Sequence, residues 1–202
     1  MRDFYEAVWA DLPADPQPWA WARRRELLLQ EIGPGDRVLD LGCGAGRFVA
    51  AARETGADVV GVDIAEAALE RARQVTPGAD LRLLGAEGSV PLGHGEVDLV
   101  WCSEVLEHVP DTVGLLTEIR RVLRSGGRLL LTVPDHGRLR RTLIALARYE
   151  SHYDPLGQHL RFYSRRSLTV ALDATGFTDV RLAALGGLPL LREAIVARAV
   201  RE

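Results

Sequence analysis

The chain has 202 residues, of which 47% are hydrophobic and 26% are charged, and this length suits one α/β domain rather than two with separate cores. Its net charge of −3 argues against a protein that coats nucleic acid through charge alone, and no apolar stretch reaches the roughly 18 residues that cross a bilayer. The two cysteines imply neither a disulfide framework nor a cysteine zinc site, and the N-terminus lacks the apolar core of a signal peptide, so we expect a cytoplasmic protein.

Residues 1–36 are predicted to form a helical cover that is interrupted by prolines and that ends in a helix over 23–32. From residue 37 onward, predicted strands and helices alternate, which is the pattern of a parallel sheet with right-handed crossovers. The predicted strands span 37–41, 58–62, 80–84, 97–102 and 127–133, and the predicted helices span 46–55, 65–75 and 111–124. A predicted helix at 167–175 and strands near 177–184 and 194–200 complete the pattern.

A glycine-rich turn follows the first predicted strand and contains Asp40, Gly42, Cys43, Gly44 and Gly46. Glycines at alternate positions let the backbone approach a ligand closely and adopt positive φ. A turn of this kind, at the carboxyl end of the first parallel strand, is where doubly wound α/β folds bind nucleotides. The spacing differs from the dinucleotide pattern G-x-G-x-x-G, and the preceding carboxylate would repel a pyrophosphate while suiting a cationic or amino-bearing ligand.

This motif resembles motif I of the class I S-adenosylmethionine-dependent methyltransferases. Val97–Ser103 resembles the F-D-x-V strand of that family, and Arg121–Leu131 resembles its R-x-L-x-P-G-G segment, with Ser125 in place of the proline. The resemblance covers residues 37–134 well and 159–182 in part. It implies a doubly wound, seven-stranded, Rossmann-like sheet with an antiparallel C-terminal hairpin edge, and S-adenosylmethionine as the cofactor.

The order of the predicted elements, together with the resemblance, indicates a single domain over residues 1–202 that has four parts. These parts are the helical cover 1–36, a cofactor-binding core 37–134, a substrate-lid insertion 135–166, and a C-terminal helix with edge strands 167–202.

Further cofactor residues are expected after the second, third and fourth strands. Asp63 can accept hydrogen bonds from ribose hydroxyls, or serve as the N-cap of the next helix, and Ile64 would lie against the adenine. The family often has an aspartate before a Leu-Pro-Phe-like turn, but here that position is Ala86, followed by Glu87. Either the Glu87 side chain or the backbone of both residues would then reach the adenine amino group. Ser103 completes the expected set.

A candidate metal site comprises Glu104, Glu107, His108 and His159. If 104–108 form one helical turn, the first three side chains share a face, and such ligands suit Mg²⁺, Mn²⁺ or Zn²⁺. The pattern resembles two subfamilies, the ubiquinone-biosynthesis O-methyltransferases and the small-RNA 3′-terminal 2′-O-methyltransferases; in the second, the corresponding side chains hold a metal. The alternative is that the histidine faces the substrate, or caps the helix, without a metal.

The insertion 135–166 is expected to form the wall of the acceptor site. It holds seven arginines against three acidic residues, which indicates either an anionic small-molecule acceptor or a solvated helix face. His108 and His159 are the candidate general bases for an oxygen acceptor, and structural hydrogen bonds are the alternative role for both.

The sequence therefore predicts a methyltransferase that acts on a small molecule, with oxygen favoured as the methylated atom. The alternatives are a metal-dependent RNA 2′-O-methyltransferase, against which the net charge argues, and a non-catalytic cofactor-binding partner subunit. A nicotinamide dehydrogenase shares the topology, but Asp40 and the glycine spacing oppose it. The sequence leaves the oligomeric state undetermined.

Overall fold

A computed structural model describes residues 1–13, 16–85, 88–154, 157–188 and 191–202. The strands are β1 (Arg37–Leu41), β2 (Asp58–Asp63), β3 (Asp80–Leu83), β4 (Val97–Ser103), β5 (Leu123–Pro134), β6 (Phe177–Leu188) and β7 (Leu191–Arg201). The helices are α1 (Arg2–Asp11), α2 (Trp21–Glu31), α3 (Arg47–Arg53), α4 (Glu66–Val75), α5 (Thr112–Val122), α6 (Arg138–Ala147), α7 (Tyr149–His152) and α8 (Arg165–Ala174), and a 3₁₀ turn spans Leu106–His108.

The strands form one seven-stranded sheet in the order β3-β2-β1-β4-β5-β7-β6. Strands β1 to β5 pair in parallel, whereas β7 is antiparallel to both β5 and β6. The predicted doubly wound sheet with an antiparallel hairpin edge is therefore confirmed. Because β1 and β4 are neighbours, the carboxyl ends of these two strands open side by side at the point where the strand order reverses.

Alternate residues of β1 contribute to two separate layers of the core. Val38 packs with Leu28 of α2 and Leu69 of α4 on one face, whereas Leu39 packs with Leu116 of α5 on the other. Helices α2, α3 and α4 cover the first face, while α5 and α8 cover the second. This two-sided burial explains why the parallel strands are apolar runs rather than alternating patterns.

The structure corrects the predicted boundary between α5 and β5. Asp111 caps the helix as expected, since its Oδ1 accepts a 2.9 Å hydrogen bond from Gly114 N, but the helix ends at Val122. The two glycines of the Ser-Gly-Gly segment do not stop the helix, because they lie within β5. The pairing with β4 shifts between Val97 and Leu99 to accommodate the extra residues as a bulge.

The insertion contains α6 and α7 and follows directly from the carboxyl end of β5. It thus begins at the same edge of the sheet as the glycine-rich turn. In the part of the chain that the structure describes, no helix is long and apolar enough to cross a membrane.

Candidate cofactor and acceptor site

The glycine-rich turn between β1 and α3 has the backbone that its sequence predicts. Gly42, Gly44 and Gly46 have φ values of 78°, 52° and 76°. A Cβ on Gly44 would lie 2.8 Å from Cη2 of Trp9, and a Cβ on Gly46 would lie 2.8 Å from Cβ of Ala72. A Cβ on Gly42 would likewise meet Cγ2 of Val105, so larger residues would clash at all three positions, in addition to the strain of positive φ.

Cys43 contributes to the turn through its backbone. Its N–H donates to the carbonyl oxygen of Val62 at 3.0 Å, and the N–H of Gly42 donates to the same oxygen at 2.7 Å. Burial raises the pKa of the Cys43 thiol well above its usual range, so the side chain packs as a neutral group. The two bonds tie the turn to the neighbouring strand β2.

Asp63 holds the other side of the turn. Its Oδ2 accepts a 2.9 Å hydrogen bond from Gly44 N, and its Oδ1 accepts a 3.0 Å bond from Ala65 N. Burial raises the pKa of Asp63, and these backbone bonds oppose that shift. The carboxylate therefore lies at the end of β2, between the glycine turn and α4, as the cofactor prediction requires. Ile64 follows it, whereas Ala86 and Glu87 lie outside the described residues.

The first backbone N–H groups of α4 are capped by a residue other than Asp63. Helix α4 begins at Glu66, and the Glu6 carboxylate of α1 accepts from Glu66 N at 2.7 Å and from Ala67 N at 3.0 Å. Nothing in the local sequence signals this contact, because the two helices are far apart in the chain. It joins α1 to the rim of the cofactor site.

Asp40 is a buried carboxyl with an unused oxygen. Its Oδ2 has no hydrogen-bond partner among the described residues, and neither has Nε1 of the buried Trp101. Burial and the charge of Asp63 raise the pKa of Asp40 to about 8, while Arg24 opposes this rise. Both residues are among those that line one cavity, so the two unpartnered atoms lie in its wall.

This cavity has a volume of about 190 Å³ and lies against the glycine-rich turn. Its lining includes Trp9, Arg24, Asp40, Gly42, Gly44, Phe48, Trp101 and Ser103. We call it the cofactor cavity.

Arg24 is a site residue that no sequence motif predicts. Only 4% of it is exposed, and its Nε and Nη2 donate to Ser103 Oγ at 2.9 and 2.5 Å. Ser103 Oγ lies 2.7 Å from Thr132 Oγ1, which donates to Glu104 Oε1 at 2.8 Å. A line of hydrogen bonds thus runs from the cofactor cavity to Glu104. The arginine lies within a run of three in α2, where no local pattern singles it out.

Three of the four predicted metal ligands come together. Among the described residues, Glu107, His108 and His159 form a group whose ligand atoms all lie within 4.8 Å of one another. His108 Nδ1 is 2.9 Å from the carbonyl oxygen of Gln158, which leaves Nε2 at 3.8 Å from Glu107 Oε1. Glu104 lies outside this group because residues 104–108 do not form one helical turn: the 3₁₀ turn begins at Leu106, and Glu104 has φ of 56°.

Glu107 is the most unusual group of this cluster. Only 1% of it is exposed, and neither carboxylate oxygen has a hydrogen-bond partner within the described residues. Burial and the charge of Glu104 raise the pKa of Glu107 to about 9. Burial also lowers the pKa of His108 and of His159, so both imidazoles favour the neutral form that binds metals.

A second cavity of about 310 Å³ opens beside Glu104, and we call it the acceptor cavity. Its lining comprises Trp19, Glu104, Pro134, His136, Arg140, His152, His159 and Glu193. Among the arginines of the insertion, Arg140 lines this cavity. In contrast, Arg161 donates to the carbonyl oxygen of Pro110, and Arg165 donates to that of Leu182 at 3.5 Å.

The N-terminal helix α1 covers the cofactor cavity. Trp9 lies on Gly44, and the Tyr5 ring packs edge-on against the His108 ring, with centroids 6.0 Å apart. Arg71 of α4 donates to the carbonyl oxygens of Leu12 and Pro13 at 2.9 and 2.5 Å. No residue of α1 is fully buried, so the helix rests on the site rather than forming part of the core.

Together, a mixed seven-stranded sheet with this strand order, an acidic glycine-rich turn and an acid at the end of β2 define the class I S-adenosylmethionine-dependent methyltransferases. Residues 16–182 match the family described as methyltransferase domain, and the chain therefore belongs to that family.

Curated relatives and solved structures agree with this assignment. The chain is 32% identical over 167 residues to a ubiquinone biosynthesis O-methyltransferase of Idiomarina loihiensis, a match covering 77% of this chain and 67% of that protein. It is 39% identical over 102 residues to the protein of that name from Pseudomonas aeruginosa, covering 48% of this chain and 44% of that protein. The chain thus spans less than half the length of several curated relatives that it matches.

The fold is shared with S-adenosylmethionine-dependent methyltransferases of known structure. The enzyme from Archaeoglobus fulgidus superposes with a TM-score of 0.72 at 20% identity, covering 98% of each chain. The enzyme from Mesorhizobium loti superposes with a TM-score of 0.69 at 23% identity, covering 90% of this chain and 97% of the other. At this level of identity the likeness concerns the fold.

Proposed function

We propose that the chain transfers the methyl group of S-adenosylmethionine to an oxygen of a small-molecule acceptor. The observation that supports this best is the adjacency of the two cavities. Ser103 lines the cofactor cavity, the next residue lines the acceptor cavity, and hydrogen bonds through Thr132 join them. A donor and an acceptor bound in neighbouring cavities would meet at this boundary.

The cofactor cavity suits the amino-acid part of S-adenosylmethionine, which carries an ammonium and a carboxylate. Arg24 supplies a buried cation for the carboxylate, and Asp40 supplies an unpartnered oxygen for the ammonium. Asp63 would accept hydrogen bonds from the ribose hydroxyls, since each carboxylate oxygen can accept more than one hydrogen bond. When bound, this cofactor supplies a methyl group on a sulfonium, which is a good leaving group.

The protein's task is then mainly alignment and the exclusion of water. Helix α1 covers the cofactor cavity, and the acceptor cavity would hold the hydroxyl in line with the methyl group. Arg140 would attract an anionic group of the acceptor, because it is the arginine of the insertion that lines this cavity. The relatives named as O-methyltransferases support an oxygen as the methylated atom.

A divalent metal held by Glu107, His108 and His159, with Glu104 nearby, is the second proposal for this site. Its support is the buried Glu107 side chain, whose oxygens lack hydrogen-bond partners among the described residues and which offers a ligand atom within 4.8 Å of one from each histidine. A metal would lower the pKa of an acceptor hydroxyl, so His108 and His159 would act as ligands rather than as general bases. An RNA 2′-hydroxyl acceptor would need the same metal, and the net charge of −3 disfavours it.

The experiment is calorimetric binding of S-adenosylhomocysteine to the wild type and to Asp63→Ala, each with Mg²⁺ and with a chelator. We expect micromolar binding that Asp63→Ala removes. Binding by the wild type that depends on Mg²⁺ would support the metal, and equal binding under both conditions would count against its role in the cofactor site. A protein that binds S-adenosylhomocysteine but methylates no acceptor would instead support the non-catalytic partner alternative.

A further inference from the structure

Two histidines of the acceptor cavity form a pair that none of the roles above uses. Nε2 of His136 lies 3.0 Å from Nε2 of His152. His136 follows β5 at the carboxyl edge of the sheet, and His152 ends α7 in the insertion. Both residues line the acceptor cavity, and neither belongs to the Glu107 cluster.

The hydrogen positions of the pair follow from its partners. Nδ1 of His136 is 3.2 Å from the carbonyl oxygen of Pro134, and because a carbonyl only accepts, Nδ1 must carry a hydrogen. Nε2 of neutral His136 therefore has a lone pair, which accepts the Nε2–H of His152. Neutral His152 then has no hydrogen on Nδ1, and this nitrogen is the base that the pair leaves available.

The surroundings keep both imidazoles neutral at pH 7. The Phe162 ring packs against both of them, with centroids 5.0 Å from His136 and 5.6 Å from His152. Burial lowers the pKa of His136 to about 4, so it remains an acceptor across the physiological range. Burial and the charge of Arg140 lower the pKa of His152. Only 2% of His136 is exposed, which limits competition from water for its bond.

Other charged or titratable groups share the cavity with the pair. They are Glu104, Arg140, His159 and Glu193. Arg140 disfavours a second positive charge beside it, whereas the two carboxylates would favour an imidazolium when ionised.

We propose that His152 is the general base for the acceptor hydroxyl and that His136 is a positioning residue, which fixes the tautomer of His152. This inference rests on the proposed O-methylation. The hydroxyl proton moves to Nδ1 of His152, the oxygen bonds to the methyl carbon, and the electron pair of the broken carbon–sulfur bond stays on sulfur. The products are a methyl ether, S-adenosylhomocysteine and an imidazolium, which returns its proton to water. The hydrogen bond from Nε2–H to His136 strengthens as His152 becomes charged.

This arrangement revises the roles predicted for the other histidines. His108 donates through Nδ1 to a backbone carbonyl, and its Nε2 lies 3.8 Å from Glu107 Oε1. It would therefore act together with Glu107 rather than as a base by itself. His159 lies between the two groups, since its ring contacts His108 at 4.9 Å and it also lines the acceptor cavity. The pair of His136 and His152 also has a tautomer that its partners assign, and it leaves Nδ1 of His152, inside the acceptor cavity's lining, as the candidate base.

The test uses the full chain, methyl-labelled S-adenosylmethionine and a panel of simple phenols, catechol among them, assayed from pH 6 to pH 10. We expect His152→Ala to lower kcat about 10²–10⁴-fold at pH 7, the usual contribution of a general base. The loss should shrink as pH rises towards the pKa of the phenol, about 10, because ionised phenol needs no base. Added imidazole should restore part of the activity.

Variants of His136 separate positioning from packing. His136→Gln keeps a side-chain oxygen that can accept from His152 and should retain most of the activity, whereas His136→Leu should lose it and shift the pH profile. His94→Ala is the control, because His94 is exposed and lies outside both cavities. All variants should bind S-adenosylhomocysteine like the wild type.

Three results would overturn the inference. The first is a His152→Ala variant with an unchanged pH profile, and the second is equal activity in His136→Leu and His136→Gln. The third is a wild type that binds S-adenosylhomocysteine yet methylates no phenol, because the pair's role requires an oxygen acceptor. A wild type that does not bind S-adenosylhomocysteine would instead contradict the proposed function itself.

Discussion

Oε1 of Glu6 lies 2.7 Å from the backbone nitrogen of Glu66, so a side chain of α1 caps the helix α4. The other carboxylate oxygen accepts from the next backbone N–H, that of Ala67. An anion at a helix N-terminus is also favoured by the helix dipole. Since α1 has no fully buried residue, contacts such as this cap hold it over the cofactor cavity.

Glu6→Ala should loosen α1 without replacing a residue that lines the cofactor cavity. Loss of a helix cap costs about 0.5–2 kcal/mol, so we expect association and dissociation of S-adenosylhomocysteine to accelerate roughly 2- to 30-fold. Stopped-flow tryptophan fluorescence would measure both rates, because Trp9 lies on the glycine turn. Asp3→Ala, an exposed change on the same helix, is the control. Rates equal to those of the control would mean that α1 does not limit access.

Gly44→Ala should be worse than the same change at another glycine with positive φ. Gly56 has φ of 86° and nothing within 4 Å of an added Cβ, so Gly56→Ala has only the backbone strain of about 1–2 kcal/mol. The Cβ added at Gly44 would also meet Trp9 at 2.8 Å. Thermal unfolding and S-adenosylhomocysteine calorimetry should both show the larger loss for Gly44→Ala. Combining it with Trp9→Ala should recover part of the stability, and no recovery would argue against the contact.

Arg24→Met should weaken S-adenosylhomocysteine binding about 10- to 100-fold, the range for a hydrogen bond to a charged group. It should leave the affinity for 5′-methylthioadenosine unchanged, because that ligand lacks the carboxylate. Asp63→Ala should weaken both ligands, since both carry the ribose. Arg25→Met is the matched control, as Arg25 is its neighbour and pairs with Glu54 at the surface. If Arg24→Met lost the same affinity for both ligands, Arg24 would not bind the carboxylate.

The buried Glu107 gives a pH dependence whose sign can be worked out. Its pKa of about 9 in the folded state exceeds the unfolded value of about 4.3, so the folded protein binds the proton more tightly between these values. Stability therefore falls as pH rises through this window, by up to about 1.4 kcal/mol per pH unit from this group. In Glu107→Gln the side chain cannot titrate, so only the wild type loses stability through this group. The unfolding free energy of the variant minus that of the wild type should therefore rise from pH 5.5 to pH 8.5.

Thermal unfolding of both proteins in a chelator would measure this difference. Glu118→Gln is the control, because a hydrogen bond to Arg121 lowers the pKa of Glu118 and keeps it ionised throughout the range. A stability difference between Glu107→Gln and the wild type that does not change with pH would contradict the claim that Glu107 is protonated in the folded protein.

The parallel strands and their motif were predictable because their signals are local. The run Val38 to Leu41 is apolar with one acid, and the glycines that follow are required by positive φ at each position. The end of α5 was not predictable in the same way. Two consecutive glycines usually end a helix, but here pairing with β4 draws them into a bulged strand, so tertiary contacts override the local preference.

Other residues of the site could not be predicted for a different reason: their partners are distant in the chain. Arg24 meets Ser103 across 79 positions of the chain, and Glu6 meets Glu66 across 60. The contact between His136 and His152 depends on how the insertion folds back on the sheet. Each of these residues is ordinary in its local sequence, so only the folded chain reveals its partner.

Strand β7 lies between β5 and β6 although it follows both of them in the chain. During synthesis on the ribosome, β5 and β6 therefore emerge before the strand that joins them, and each waits with an open edge. The apolar residues that β5 buries against β7 stay accessible to chaperones or to other nascent chains for that interval. Substitutions that slow the docking of β7 should then reduce the yield of folded protein more than its final stability.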